Sequence, residues 1–137
     1  MSKPATADTY DWPTDRIAEF NSAWGQGCVG SILVSETDDV RVWQIQLAPG
    51  ERVGFHHHVL NYFWSAINAG KSRSHMQDGS VVDSEYQAGT TKHFHFGPGE
   101  FMLHDLENIG DTDLIFVTVE HLKSDNKPFS LPDHVRL

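Results

Sequence analysis

An apolar beat of two residues, repeated in short bursts and cut by turn signals, constrains the fold of this chain more than any other feature. In DVRVWQIQLAPG, Trp43, Ile45 and Leu47 share one face while Val42, Gln44 and Gln46 share the other, before a Pro-Gly turn. The same alternation returns between Val59 and Ile67, where Leu60, Tyr62, Trp64 and Ala66 form one face. It returns again in TKHFHF, with Phe94 and Phe96 opposite His93 and His95, and in DLIFVTVEHL, with Leu114, Phe116 and Thr118 opposite Ile115, Val117 and Val119. Side chains two apart lie on the same side of a pleated strand, so each burst reads as a strand with one face buried. NAGK, QDGS, QAGT, FGPGE and NIGDTD separate the bursts, and no long helical pattern intervenes. The expectation is an all-β antiparallel barrel or sandwich.

One short helix precedes the strands. TDRIAEFNSAWG offers Thr14 as a cap, Ile17, Phe20 and Trp24 at helical spacing, and Gly25 as a stop. Residues 1–13 are polar with two prolines and read as a loose arm; residues 122–137, also polar and proline-bearing, read as a tail that wraps the outside or reaches a partner. At 137 residues the expectation is one domain, 1–137, with its barrel core at about residues 29–121.

Composition narrows the function classes. Ten Lys and Arg against 19 Asp and Glu leave a formal charge of −9, the wrong sign for displacing counterions from nucleic acid or docking on an anionic membrane. With Cys28 as its one cysteine, the chain can form no internal disulfide and no thiolate zinc site. No stretch reads as a signal peptide or a bilayer-crossing helix, so a cytoplasmic protein is expected.

Three consecutive histidines, His56 to His58, sit inside PGERVGFHHHVLNYFW, at the head of an aromatic strand. On a strand His56 and His58 project together and His57 projects the other way, so two imidazoles share a face. His104, in EFMLHDLENIGD, supplies a third on another expected strand that could lie opposite across a barrel; His93 and His95 form a second same-face pair that either meets solvent or joins the site. Neutral imidazoles suit iron, nickel, manganese, copper or zinc, and three of them leave coordination positions open for water or substrate.

These residues resemble the cupin superfamily of double-stranded β-helix, or jelly-roll, barrels. Its first motif runs Gly, five residues, His, one residue, His, three or four residues, Glu, six residues, Gly, and Gly50, His56, His58, Phe63 and Gly70 follow that spacing. Its second ends in His, three residues, Asn, matched by His104 and Asn108 after the Gly97–Gly99 turn. Phe63 stands at the glutamate position, and Asn61 two residues earlier carries an amide that a shifted register would bring there. The resemblance implies a single divalent metal (Fe, Ni, Mn or Zn) on His56, His58 and His104, as in three-histidine dioxygenases. The HxHxxxNY arrangement resembles bacterial cupins of the β-alanine-degradation type.

Tyr62 and Arg73 are the expected catalytic residues, Tyr62 as a proton donor or ligand contact and Arg73, with Lys71 and His75 on its face, as a carboxylate clamp at the barrel mouth. Glu100 and Asp105 flank the second motif and are candidates to orient a ligating imidazole through its other nitrogen. Three function classes remain open: a metal-dependent, dioxygenase-like enzyme acting on a small polar or carboxylate metabolite, a non-catalytic binding or sensing barrel, and a metal-dependent isomerase or lyase. A small-molecule ligand and a homodimer formed through edge strands are the expected partners.

Overall fold

Two antiparallel sheets face one another in the computed structural model, which describes residues 6–137. Helix α1 (Thr14–Asn21) precedes nine strands: β1 (Ile32–Glu36), β2 (Val40–Leu47), β3 (Arg52–His58), β4 (Tyr62–Ala66), β5 (Gly70–His75), β6 (Val81–Tyr86), β7 (Thr91–Phe94), β8 (Met102–Asn108) and β9 (Leu114–His121). The strand order is β1-β2-β9-β4-β7 in one sheet and β3-β8-β5-β6 in the other. These are the antiparallel sheets expected from the alternation, arranged as the double-stranded β-helix that the resemblance implies. Ile45, Leu47, Ala66, Leu114 and Phe116 are buried between the sheets at one end, with Trp64, Tyr86 and Leu106 packed on them. The inward phase of β2, β4 and β9 is therefore the one the sequence displays.

The other face of the four-stranded sheet is also covered. Trp12, Phe20 and Ala23 pack with Phe55 and Leu103 of β3 and β8, and Ala7 joins the same cluster. Residues 1–5 of the arm lie outside the described residues; from Ala7 to Trp12 the arm is anchored rather than loose, because Asn21 Oδ1 accepts the Ala7 N–H at 2.9 Å and the Tyr10 hydroxyl donates to the Gln77 carbonyl at 2.6 Å. Thr14 is not the cap: Pro13 holds that position and Thr14 is the first helical residue, an arrangement proline favours because the helix start needs no N–H from it. The helix stops at Asn21, short of Trp24.

Residues 122–137 fold back on their own chain. Val135 and Leu131 close a third cluster with Val29, Leu33 and Trp43, and Arg136 pairs with Glu36. Among the described residues no helix is long and apolar enough to cross a membrane.

Candidate metal centre

A bulge builds the first half of the site. On β3 and β8, Val53 faces Leu106 and His56 faces His104, so β3 carries one residue more than β8 between these pairs. The extra residue turns the Gly54 carbonyl back toward His56, whose Nδ1–H donates to it at 2.8 Å. That bond fixes the tautomer and leaves Nε2 free as a ligand atom. The freed amide of Phe55 donates to Glu19 Oε2 of α1 at 2.8 Å, and Arg52 holds the Glu19 carboxylate with two bonds of 2.7 and 2.9 Å. Glycine leaves room here: a Cβ at residue 54 would sit 3.1 Å from Glu19 Oε2 and press on that carboxylate. The helix thus supports the bulge, and the bulge aims His56.

His104 lies beside His56 rather than across the barrel from it. The two are direct cross-strand partners in one sheet, and the expected placement on opposite walls is corrected accordingly. His58 Nε2 and His104 Nε2 are 3.2 Å apart, and the ligand atoms of His56, His58 and His104 all lie within 4.8 Å of one another. Two imidazole nitrogens bound to one ion at about 2.1 Å stand about 3.0 to 3.4 Å apart for angles between octahedral and tetrahedral, so the His58–His104 spacing is that of a shared ion. Burial holds His56 down to about 4, and burial together with the neighbouring imidazoles holds His58 and His104 well below the ordinary histidine value. All three are therefore neutral, as ligands must be. His58 Nδ1 is buried without a hydrogen-bond partner among the described residues, and its ring is oriented instead by stacking on Tyr62 at 4.2 Å and 9°. The donor set fits one divalent metal.

His57 has a different task. It points to the outer face, buried among Trp24, Phe101 and Phe129, and its Nδ1 accepts the Gly25 N–H at 3.0 Å. Of the three consecutive imidazoles, two serve the barrel interior and the middle one pins the segment after α1.

The cluster opens on a cavity of about 310 Å³ between the sheets. Trp64, Tyr86, Phe94, Phe116, Ile45 and Leu106 are among its apolar walls, and Ser74, Ser84 and Thr118 are its small polar contributors. Tyr62 lines it as expected, stacked between His58 and Phe94, with its hydroxyl pushed well above the usual tyrosine value by burial. Tyr62, separated from His58 by three residues, faces the interior, between the two positions, Asn61 and Phe63, at which the motif's glutamate was expected. Phe63 points outward to His93 and His121, because consecutive strand residues alternate faces.

Several other expectations move. Arg73 is on the outer face of β5, half exposed and held by Asp83 through bonds of 2.9 and 3.0 Å, so it does not reach the cavity that its strand neighbour Ser74 lines. His75, on the same face as Arg73, is buried under Trp12 and bonded to Asp105, so it belongs to the covered side of the sheet. Asp105 does not orient a ligating imidazole: it is fully buried on the outer side, accepting from the His75 N–H at 2.6 Å and from Arg52 at 2.8 Å. Glu100 caps the turn at Gly97. Asn61 accepts the Phe96 N–H at 2.8 Å and so is a strut, and Asn108 likewise bonds the Leu47 and Thr112 carbonyls. His93 and His95 are exposed. Lys92, which sequence reasoning passed over, lines the cavity; its signal is a position two residues before Phe94 on the same strand face.

Fold and site together define a double-stranded β-helix barrel with a buried three-histidine cluster, a fold shared with solved cupin structures. A cupin domain from Bordetella pertussis Tohama I superposes with a TM-score of 0.58 at 24% identity, covering 67% of this chain and 93% of that one. A conserved protein with a double-stranded β-helix domain from Klebsiella pneumoniae covers 97% of this chain and 99% of its own at 23% identity, with a TM-score of 0.54. An RmlC-like cupin family protein from Methanocaldococcus jannaschii gives 0.51 at 21% identity, over 64% of this chain and 73% of that one. No family model matches the chain, and no curated protein matches it significantly in sequence.

Proposed function

We propose that the chain holds one divalent transition metal, iron, nickel, manganese or zinc, through His56, His58 and His104, and acts there on a small molecule bound in the cavity. The convergence of three neutral imidazoles inside an apolar chamber carries this reading. When bound, the metal supplies Lewis acidity and, if it is iron, the means of a dioxygenase-like reaction. The chain's own residues orient and shield. Gly54 fixes His56, the Tyr62 ring holds His58, and Trp64, Phe94 and Phe116 exclude water from the site. Tyr62, stacked on His58 with its hydroxyl kept protonated by burial, is the proton donor we assign to a ligand there.

Metal content of protein made without a histidine tag tests the proposal. Near-stoichiometric metal that is lost in His56→Ala supports it; metal-free protein with a normal unfolding transition points to the second reading, a binding or sensing barrel. That reading is favoured by one observation: among the described residues no carboxylate lines the cavity, which leaves Tyr62, Tyr86 and Lys92 as its non-histidine ionisable groups. An isomerase or lyase would be told from a dioxygenase by the absence of oxygen consumption. A cytoplasmic homodimer completes the proposal. Edge strand β6, with Val81 at 47% and Val82 at 45% exposed, is the pairing surface, and sedimentation showing only monomer at micromolar protein would remove it.

A further inference from the structure

We infer that the cavity selects a small organic anion with an elongated apolar body, and that Lys92 is the residue that reads its charge. The inference rests on the cavity being the ligand site proposed above. Lys92 is the one cation other than histidine, and the one formally charged residue, among the side chains lining that cavity. Unlike Arg73, which Asp83 occupies, it makes no ion pair among the described residues. In a chain with 19 acids and ten bases, a lysine without a carboxylate partner among the residues lining a ligand chamber marks a place where an anion is welcome.

The path from the histidines to Lys92 sets the shape of the ligand. His58, Tyr62 and Phe94 stack face to face at centroid spacings of 4.2 and 4.6 Å, with planes 9° and 5° apart, and Lys92 Nζ lies 5.1 Å from the Phe94 centroid. One end of this ladder is the metal cluster and the other is the cation. A ligand that meets both must lie along aromatic rings, so its middle is apolar and its charge is at one end. Val82 and Met76 continue that apolar lining, whereas a sugar-like polyol would find only scattered hydroxyls at Ser74, Ser84 and Thr118. Lys92 is itself exposed, so its contact is partly screened and amounts to about a 1.5- to fivefold preference rather than an absolute requirement.

The test is equilibrium binding to the full-length protein as purified, followed by intrinsic tryptophan fluorescence, of whose four contributors Trp64 lines the cavity. The probes are 4-phenylbutyrate, the uncharged 4-phenylbutanol and inorganic phosphate. The expected result is tighter binding of 4-phenylbutyrate than of the alcohol by that factor, with phosphate weakest for want of an apolar body. Lys92→Met should erase the difference, while Lys92→Arg and His56→Ala keep it. No saturable binding of 4-phenylbutyrate, an unchanged preference in Lys92→Met, equal binding of phosphate, or loss of the preference in His56→Ala, which would put the carboxylate on the metal, each overturns the inference. Metal content of the same preparations judges the functional proposal separately.

Discussion

Replacing His57 tests whether the central imidazole of the triplet is a support and not a ligand. His57 is 1% exposed, with its ring centroid 4.4 Å from that of Trp24, 5.2 Å from Phe101 and 4.9 Å from Phe129. His57→Ala removes those three ring contacts, each worth about 0.5 to 1.5 kcal/mol beyond area. It also strands the Gly25 N–H, at a cost of about 1 to 3 kcal/mol. Against this, His57 Nε2 already lacks a hydrogen-bond partner in its buried position, and deleting it returns part of the loss. The net cost is about 3 kcal/mol, which for a chain of this size lowers the melting temperature by about 9 °C. His57→Phe keeps the ring, loses the Gly25 bond and removes the orphaned nitrogen, so it should fall within about 1 kcal/mol of the parent. Thermal unfolding and metal analysis on both variants, beside His56→Ala, decide the matter. Loss of metal in His57→Phe, or an unchanged melting temperature in His57→Ala, would refute the division of labour between the two strand faces.

Two further outcomes follow from buried charges. Glu120 faces the barrel interior, donated to by Trp43 Nε1–H at 2.8 Å, and burial raises its carboxyl from 4.5 to about 7. A raised folded value means that its contribution is present below about pH 4.5 and lost as pH rises through about 7; at 1.36 kcal/mol per unit this is about 3 kcal/mol. Glu120→Gln should therefore flatten the stability difference between pH 5 and pH 8 by about that amount in denaturant titrations, and an unaltered pH profile would contradict the assignment. Asp105 binds Arg52 and His75 with no exposure of its own, so Asp105→Ala leaves the buried His75 amide unpaired and Arg52 with Glu19 as its remaining partner, and should cost about 1 to 3 kcal/mol. Hydrogen exchange should report the loss first in α1, whose Glu19 shares Arg52; a variant as stable as the parent would show that this network is dispensable.

The sequence by itself determined the strands, their inward phase and the pair His56 and His58, because a period of two is a local property that survives any tertiary arrangement. It also put Tyr62 inside, since the phase of Leu60, Trp64 and Ala66 carries it there. What it could not determine was which strands are neighbours. Whether His104 stood beside His56 or across from it, and whether Arg73 or Lys92 met the ligand, depended on pairing between segments 20 to 50 residues apart and on which face each sheet turned to the other. Alternation names two faces of β5 without saying which is in, and both are polar, Lys71, Arg73 and His75 on one and Ser72 and Ser74 on the other, so it could not place Arg73. The helix that covers the outer side of that sheet, bringing Trp12 and Glu19 onto Phe55, His75 and Arg52, resolved it: a face buried by a second layer can carry paired charges that would otherwise be read as lining a site.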